Sequence, residues 1–151
     1  MATILEQIKR IEKLTPSVVV NKVFEAVKKA QGDIIKANKL QLVKGENVKG
    51  QIVGTYAPST QGFADRDGIP TPKKEGDSYN FTWFNNFFDG FDLTVTNDLA
   101  TIFSTGVGDG GKKQFLTSEN LMGLNDQNLK EVIQKDILPF IQKYAKSVIG
   151  I

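Results

Sequence analysis

The nearest approach to a chemical motif is Gly106-Val-Gly-Asp-Gly-Gly111-Lys112-Lys113. Its glycine spacing and lysine match the phosphate-binding pattern G-x-x-x-x-G-K-S/T. The last position is Lys113, so the hydroxyl that would hold magnesium is missing. A long helix should also start at the lysine, and the short apolar piece Phe115-Leu116 follows instead. A flexible hairpin loop fits better than a nucleotide site. Asp65-Arg66-Asp67-Gly68 starts like a calcium loop. Ile69 and Pro70 then replace the next oxygen ligand, and Gly76 stands where the bidentate Glu belongs. A surface turn is the expectation there.

The chain has no histidine and no cysteine among its 151 residues. That removes Ser-His-Asp catalysis, thiolate zinc sites, disulfides and redox thiols. What remains for chemistry is carboxylates and lysines. Asp65, Asp67, Asp89, Asp92 and Asp109 lie in or beside expected loops, and carboxylate pairs can act as acid and base. Nothing in the spacing brings two of them into one cleft. No catalytic, metal-binding or cofactor-binding residue is assigned, and the chain is expected not to be an enzyme. Trp83, Phe84, Phe87 and Phe88 could stack on bases. No lysine lies between Gly76 and Gly111 to meet the phosphates, so no specific nucleic-acid partner is expected.

Charge is unevenly spread. Residues 1–49 carry ten Lys/Arg against five Asp/Glu, residues 50–111 three against eight, and residues 112–151 six against four. Opposite-sign surfaces favour head-to-tail packing of copies; two solvated lysine-rich helices are the plainer reading. There is no apolar run of about 18 residues, so no membrane span is expected. The N-terminus lacks a basic-then-apolar-then-small pattern, so no secretory signal is expected either.

The elements that must position these groups follow from period and punctuation. One domain over residues 1–151 is expected. Ile4, Leu5, Ile8, Ile11 and Leu14 place an amphipathic helix over Thr3–Leu14. Thr15-Pro16 stops it and caps a second helix over about Ser17–Val43, with a bend or close approach at Gly32. Gly45 closes that helix, and Gln51–Tyr56 reads as a short strand. The segment 57–78 has no period and contains Pro58, Pro70 and Pro72. It is expected to be a long irregular loop, ordered on binding. Ser78 or Asn80 caps a short aromatic helix that ends at Asp89-Gly90, with Phe81, Phe84 and Phe88 on its core face. Phe91, Leu93 and Val95 then alternate, giving a hairpin over about 91–104 turned at Asn97-Asp98. Its register sets Val95 opposite Ala100 and Leu93 opposite Ile102, with Thr94, Thr96 and Thr101 facing out. Gln114–Leu116 reads as a third short strand, and Ser118–Met122 as one helical turn. Asn125 caps the last helix, Asp126–Val148. Its stripe is Leu129, Val132, Ile133, Ile137, Phe140, Ile141, Tyr144 and Val148, and Pro139 should kink it near Asp136. The fold class is α+β, long N- and C-terminal helices on a small antiparallel sheet.

Three blocks carry a family resemblance. The first is Ile35-Lys-Ala-Asn38-Lys-Leu-Gln41-Leu with Gly45, Gly50 and Tyr56-Ala-Pro-Ser. The second is Phe84 to Thr105, and the third is Leu121-Met-Gly123-Leu124-Asn125-Asp. Together they resemble small virion proteins of phages and prophages of Bacteroides-like bacteria, and more distantly the tail-completion or neck proteins of long-tailed phages. The Asp-x-Thr-Gly of that family is replaced by Glu75-Gly76-Asp77-Ser78, and its Lys-Tyr-Gly before the third block is missing. The resemblance implies a structural protein at the head–tail junction or tail end, assembled in the host cytoplasm. Its partners would be copies of itself in a ring and neighbouring connector or tail proteins. The expected interface residues are Arg66, Asp67, Lys73 and Lys74 in the long loop, with Trp83 and Phe87 as either core or an exposed patch. The alternative is a carboxylate-based cytoplasmic enzyme or ligand-binding protein.

Overall fold

The computed structural model describes residues 3–83, 86–96, 98–105 and 120–150. It is an α+β arrangement in which long N- and C-terminal helices flank a two-stranded antiparallel sheet. Helix α1 (Ile4–Ile11) starts in a capping box, with Glu6 N–H donating to Thr3 Oγ1 and Thr3 N–H to Glu6 Oε2. Helix α2 (Pro16–Lys29) is capped by Thr15, with Pro16 in its first turn. Helix α3 (Gln31–Val43) follows directly. The joint is Ala30, with ψ 5°. Backbone bonds Ala30 N–H to Ala26 O and Ile34 N–H to Ala30 O cross it, so the rod bends without parting. The bend expected at Gly32 therefore falls two residues earlier. No atom lies within 4 Å of where a Gly32 β-carbon would stand, so no close approach occurs there.

Gly45 ends α3 at φ +81°, and a β-carbon there would stand 2.7 Å from both Ser78 Cβ and Tyr79 O. Only glycine fits this crossing. The strand expected at Gln51–Tyr56 reduces to two isolated bridges, Glu46 with Ile52 and Thr55 with Ser78. Segment 57–78 is more structured than its composition suggested. Helix α4 (Thr60–Arg66) occupies its middle, with Ala64 fully buried. Its ends are zipped by Tyr56 N–H to Asp77 O, Gly76 N–H to Tyr56 O and Tyr79 N–H to Gly54 O.

The aromatic helix is shorter than its pattern. Helix α5 spans Asn86–Asp89. Phe81 sits outside it at φ 55°, and reaches the core from a left-handed backbone position. Phe84 lies outside the described residues. Phe87 packs edge-on against Phe91 and Phe88 packs tilted against it, at 5.2 and 5.7 Å between ring centres, at the start of the hairpin. Strands β1 (Phe91–Val95) and β2 (Ala100–Ser104) pair in the expected register, Leu93 with Ile102 and Val95 with Ala100. Phe91 and Leu93 are buried, while Thr94, Thr96 and Thr101 are exposed. Asn97, the glycine-rich loop Gly106–Lys113, the strand expected at Gln114–Leu116 and Ser118 all lie outside the described residues.

Asn125 caps helix α6 (Asp126–Val132) through its side chain and Asn128 N–H, at 2.9 Å. A π turn (Ile133–Ile137) leads into helix α7 (Leu138–Ile149). The turn realises the irregularity expected near Asp136. Pro139 has no N–H to offer the Lys135 carbonyl and its ring crowds that oxygen; widening the helix makes room. The expected stripe is only partly buried. Val132 and Ile137 enter the core, but Leu129 and Ile133 remain 45% and 43% exposed. The core joins one face of α2 and α3, through Ala26, Ile34 and Leu42, to the aromatic cluster, Leu93, Ile102, Leu121 and the C-terminal helix.

Candidate functional site

The expected interface residues divide when the chain folds. Lys73, expected as an interface residue of the long loop, is fully buried. Its ammonium donates to Asn80 Oδ1 and the Thr82 carbonyl, and to Thr82 Oγ1 at 3.0 Å. It also lies 5.3 Å from the Tyr56 ring centre and 6.0 Å from that of Trp83. Its backbone N–H donates to Gln61 Oε1 of α4 at 2.7 Å. Lys73 therefore ties the end of the 57–78 segment to the lead-in of the aromatic cluster. Asn80 Oδ1 gathers Tyr56 OH at 2.8 Å and Thr82 Oγ1 at 2.8 Å as well. Burial raises the Tyr56 phenol above its ordinary value, partly offset by the Asn80 N–H it accepts.

Asp67 is the second hub. It accepts from Arg66 Nε at 2.9 Å and from the Trp83 indole at 3.2 Å. The Arg66 hydrogen bond holds its carboxyl below the usual range, against some desolvation, and Trp83 adds to the effect. Arg66 and Lys74 are exposed, Asp67 and Trp83 half-buried. Phe87 is buried in the aromatic core. Lys73 and Phe87 thus lie inside the fold. The candidate carboxylates have separate partners: Asp65 takes Gln61 Nε2, and Asp92 takes Gln31 Nε2. Asp109 lies outside the described residues.

A buried polar seam joins α3 to the lead-in of α6. Asn38 Nδ2 donates to Leu121 O at 3.1 Å and Gly123 O at 2.7 Å. Gln41 Nε2 donates to Gly123 O, and its Oε1 accepts from Asn125 N–H and Asn128 Nδ2. Asn38 and Gln41 are 0% and 1% exposed. Sequence reading marked both segments but had no means of pairing them. Helix α3 packs on β1, with Lys39 5.7 Å from the Phe91 ring centre.

The surface that stands out is α1. It has no buried residue. Ile4, Leu5, Ile8 and Ile11 are 79%, 64%, 48% and 55% exposed. Arg10 anchors it, donating to Ile149 O at 3.3 Å at the far end of α7. The apolar period was legible in the sequence; that it stays largely exposed was not. Such an arrangement can bind another apolar surface, and it places no reactive group around a cleft. Comparison with protein-family models, characterised proteins and solved structures finds no match to this chain.

Proposed function

We propose that this chain is a structural subunit of a phage virion, at the head–tail junction or tail end, acting through protein–protein contacts within a ring of copies. The observation that carries the assembly part is α1. An eight-residue helix is below the ~12–15 residues that hold together alone in water, even with a capping box. Among the described residues its apolar face is left largely exposed. A subunit that keeps such a helix at its edge is built to meet a neighbour. The virion part rests on the three-block resemblance. Two of those blocks, around Asn38–Gln41 and Leu121–Asn125, are hydrogen-bonded to one another, so they form one structural unit. Native mass spectrometry of the isolated protein tests assembly, with a closed oligomer as the expected species. Peptide mapping of purified particles tests location, and absence from them removes the virion reading.

A further inference from the structure

The surroundings of the buried Lys73 ammonium match its chemistry. An ammonium carries three donors and no acceptor. Lys73 Nζ meets the oxygens Asn80 Oδ1, Thr82 O and Thr82 Oγ1. The rings of Tyr56 and Trp83 stand 5.3 and 6.0 Å from it, within reach of cation–π attraction. The acceptors are held by bonds that do not use the lysine. Asn80 N–H donates to the Tyr56 oxygen at 3.0 Å, and Tyr56 OH donates to Asn80 Oδ1 at 2.8 Å. Thr82 N–H and Thr82 Oγ1 donate to the same Oδ1 at 3.1 and 2.8 Å. Oxygens that converge on one point suit a compact ammonium better than the planar fork of an arginine. The walls, Tyr56, Asn80, Thr82 and Trp83, are half-buried, so the cup borders solvent.

The segment that Lys73 holds is a lobe of its own. Its buried apolar side chains are Ala64 and Ile69, and neither belongs to the main core cluster. The lobe stands on a neck made by Tyr56 N–H to Asp77 O and Gly76 N–H to Tyr56 O. Beyond the neck, Lys73 reaches the lead-in of the aromatic cluster, and Asp67 accepts the Trp83 indole N–H at 3.2 Å. The Lys73 N–H to Gln61 Oε1 bond passes the tie on to α4.

We infer that Tyr56, Asn80, Thr82 and Trp83 form a binding site for a primary alkylammonium, filled here by the chain's own Lys73, and that the filled site is the latch of lobe 57–78. Vacated, the cup takes a free primary alkylammonium in place of the lysine. The latch is independent of the virion reading, and its failure leaves that reading untouched.

Lys73→Met keeps the stem and removes the charge. Hydrogen exchange of the Asp67, Ile69 and Gly76 amides, all bonded within the lobe or its neck, should quicken roughly tenfold to a hundredfold, as for a lost charged hydrogen bond. The β1 amides should change much less. Trp83 is the chain's one tryptophan, and its fluorescence should become more open to acrylamide quenching. Lys73→Ala deletes a group of the shape of n-propylammonium. Added n-propylammonium chloride should restore the lobe's protection. Propan-1-ol, which has no charge, and tetramethylammonium chloride, which has no N–H, should not. Lobe protection in Lys73→Met equal to that of the unsubstituted protein overturns the latch, and so does a loss shared equally by β1. Rescue of Lys73→Ala by propan-1-ol as good as by n-propylammonium, or no rescue of a folded Lys73→Ala, overturns the ammonium site. If Lys73→Ala does not fold, Lys73→Met decides alone.

Discussion

Replacing Asn38 with alanine removes the centre of the seam between α3 and the lead-in of α6. Asn38 Nδ2 is the donor to Leu121 O, and among the described residues no other hydrogen bond to that oxygen is present. Leaving a buried carbonyl unpaired costs about 1–3 kcal/mol. The bond to Gly123 O at 2.7 Å is also lost, but that oxygen keeps Gln41 Nε2 at 3.1 Å, so about 1 kcal/mol is assigned to it. The Gly123 N–H to Asn38 Oδ1 contact, at 3.4 Å, is too long to matter. Asn38→Ala is expected to cost about 3 kcal/mol in all, with a fall in melting temperature of about 6–12 °C for a chain of this size. Urea denaturation should show a lower midpoint at unchanged slope. Asn128→Ala is the control. It removes one bond to Gln41 Oε1, which retains Asn125 N–H, and is expected to cost less than about 1 kcal/mol. Asn38→Asp should be worse than alanine at neutral pH and recover in mild acid, because protonation returns one donor. A loss below about 1 kcal/mol for Asn38→Ala, or equal losses for Asn38→Ala and the control, refutes the reasoning that this seam ties α3 to the lead-in of α6.

Gly45→Ala places a β-carbon 2.7 Å from Ser78 Cβ and Tyr79 O at φ +81°. The left-handed backbone alone costs about 1–2 kcal/mol, and the collision should push the total above that in a denaturant titration. Tyr56 is expected to ionise above the usual phenol range, because burial favours its neutral form. Its share of stability is whole below pH 10, the unfolded value, and is lost as pH rises through the higher folded value. An ultraviolet phenolate titration should show a late-ionising group among the three tyrosines, absent in Tyr56→Phe. Arg10→Ala cuts the side-chain tie of α1 to Ile149 O. Global stability should change by less than about 0.5 kcal/mol, while hydrogen exchange of the α1 amides in the monomer approaches the unprotected rate.

Short-range signals were enough for much of the fold. The alternation of Phe91, Leu93 and Val95 determined the hairpin face and, with its turn, the pairing of Leu93 with Ile102. Thr15 and Asn125 marked helix starts because a cap is a bond across three residues. Pro139 announced a disturbed helix because its ring acts on the preceding turn. Tertiary structure decided what those signals leave open. Lys73 is buried because Asn80, Thr82 and two aromatic rings surround it, and its neighbours Lys74 and Glu75 gave no hint of that. Phe81 obeyed a helical period without being helical, since the crowded aromatic core accepts a ring from any backbone that delivers it. Asn38 and Leu121 meet across 83 positions, beyond any local pattern. Period names an apolar face but not what lies against it. That is why Ile8 and Ile133, spaced like core residues, remain exposed while Ala26 and Val132 are buried.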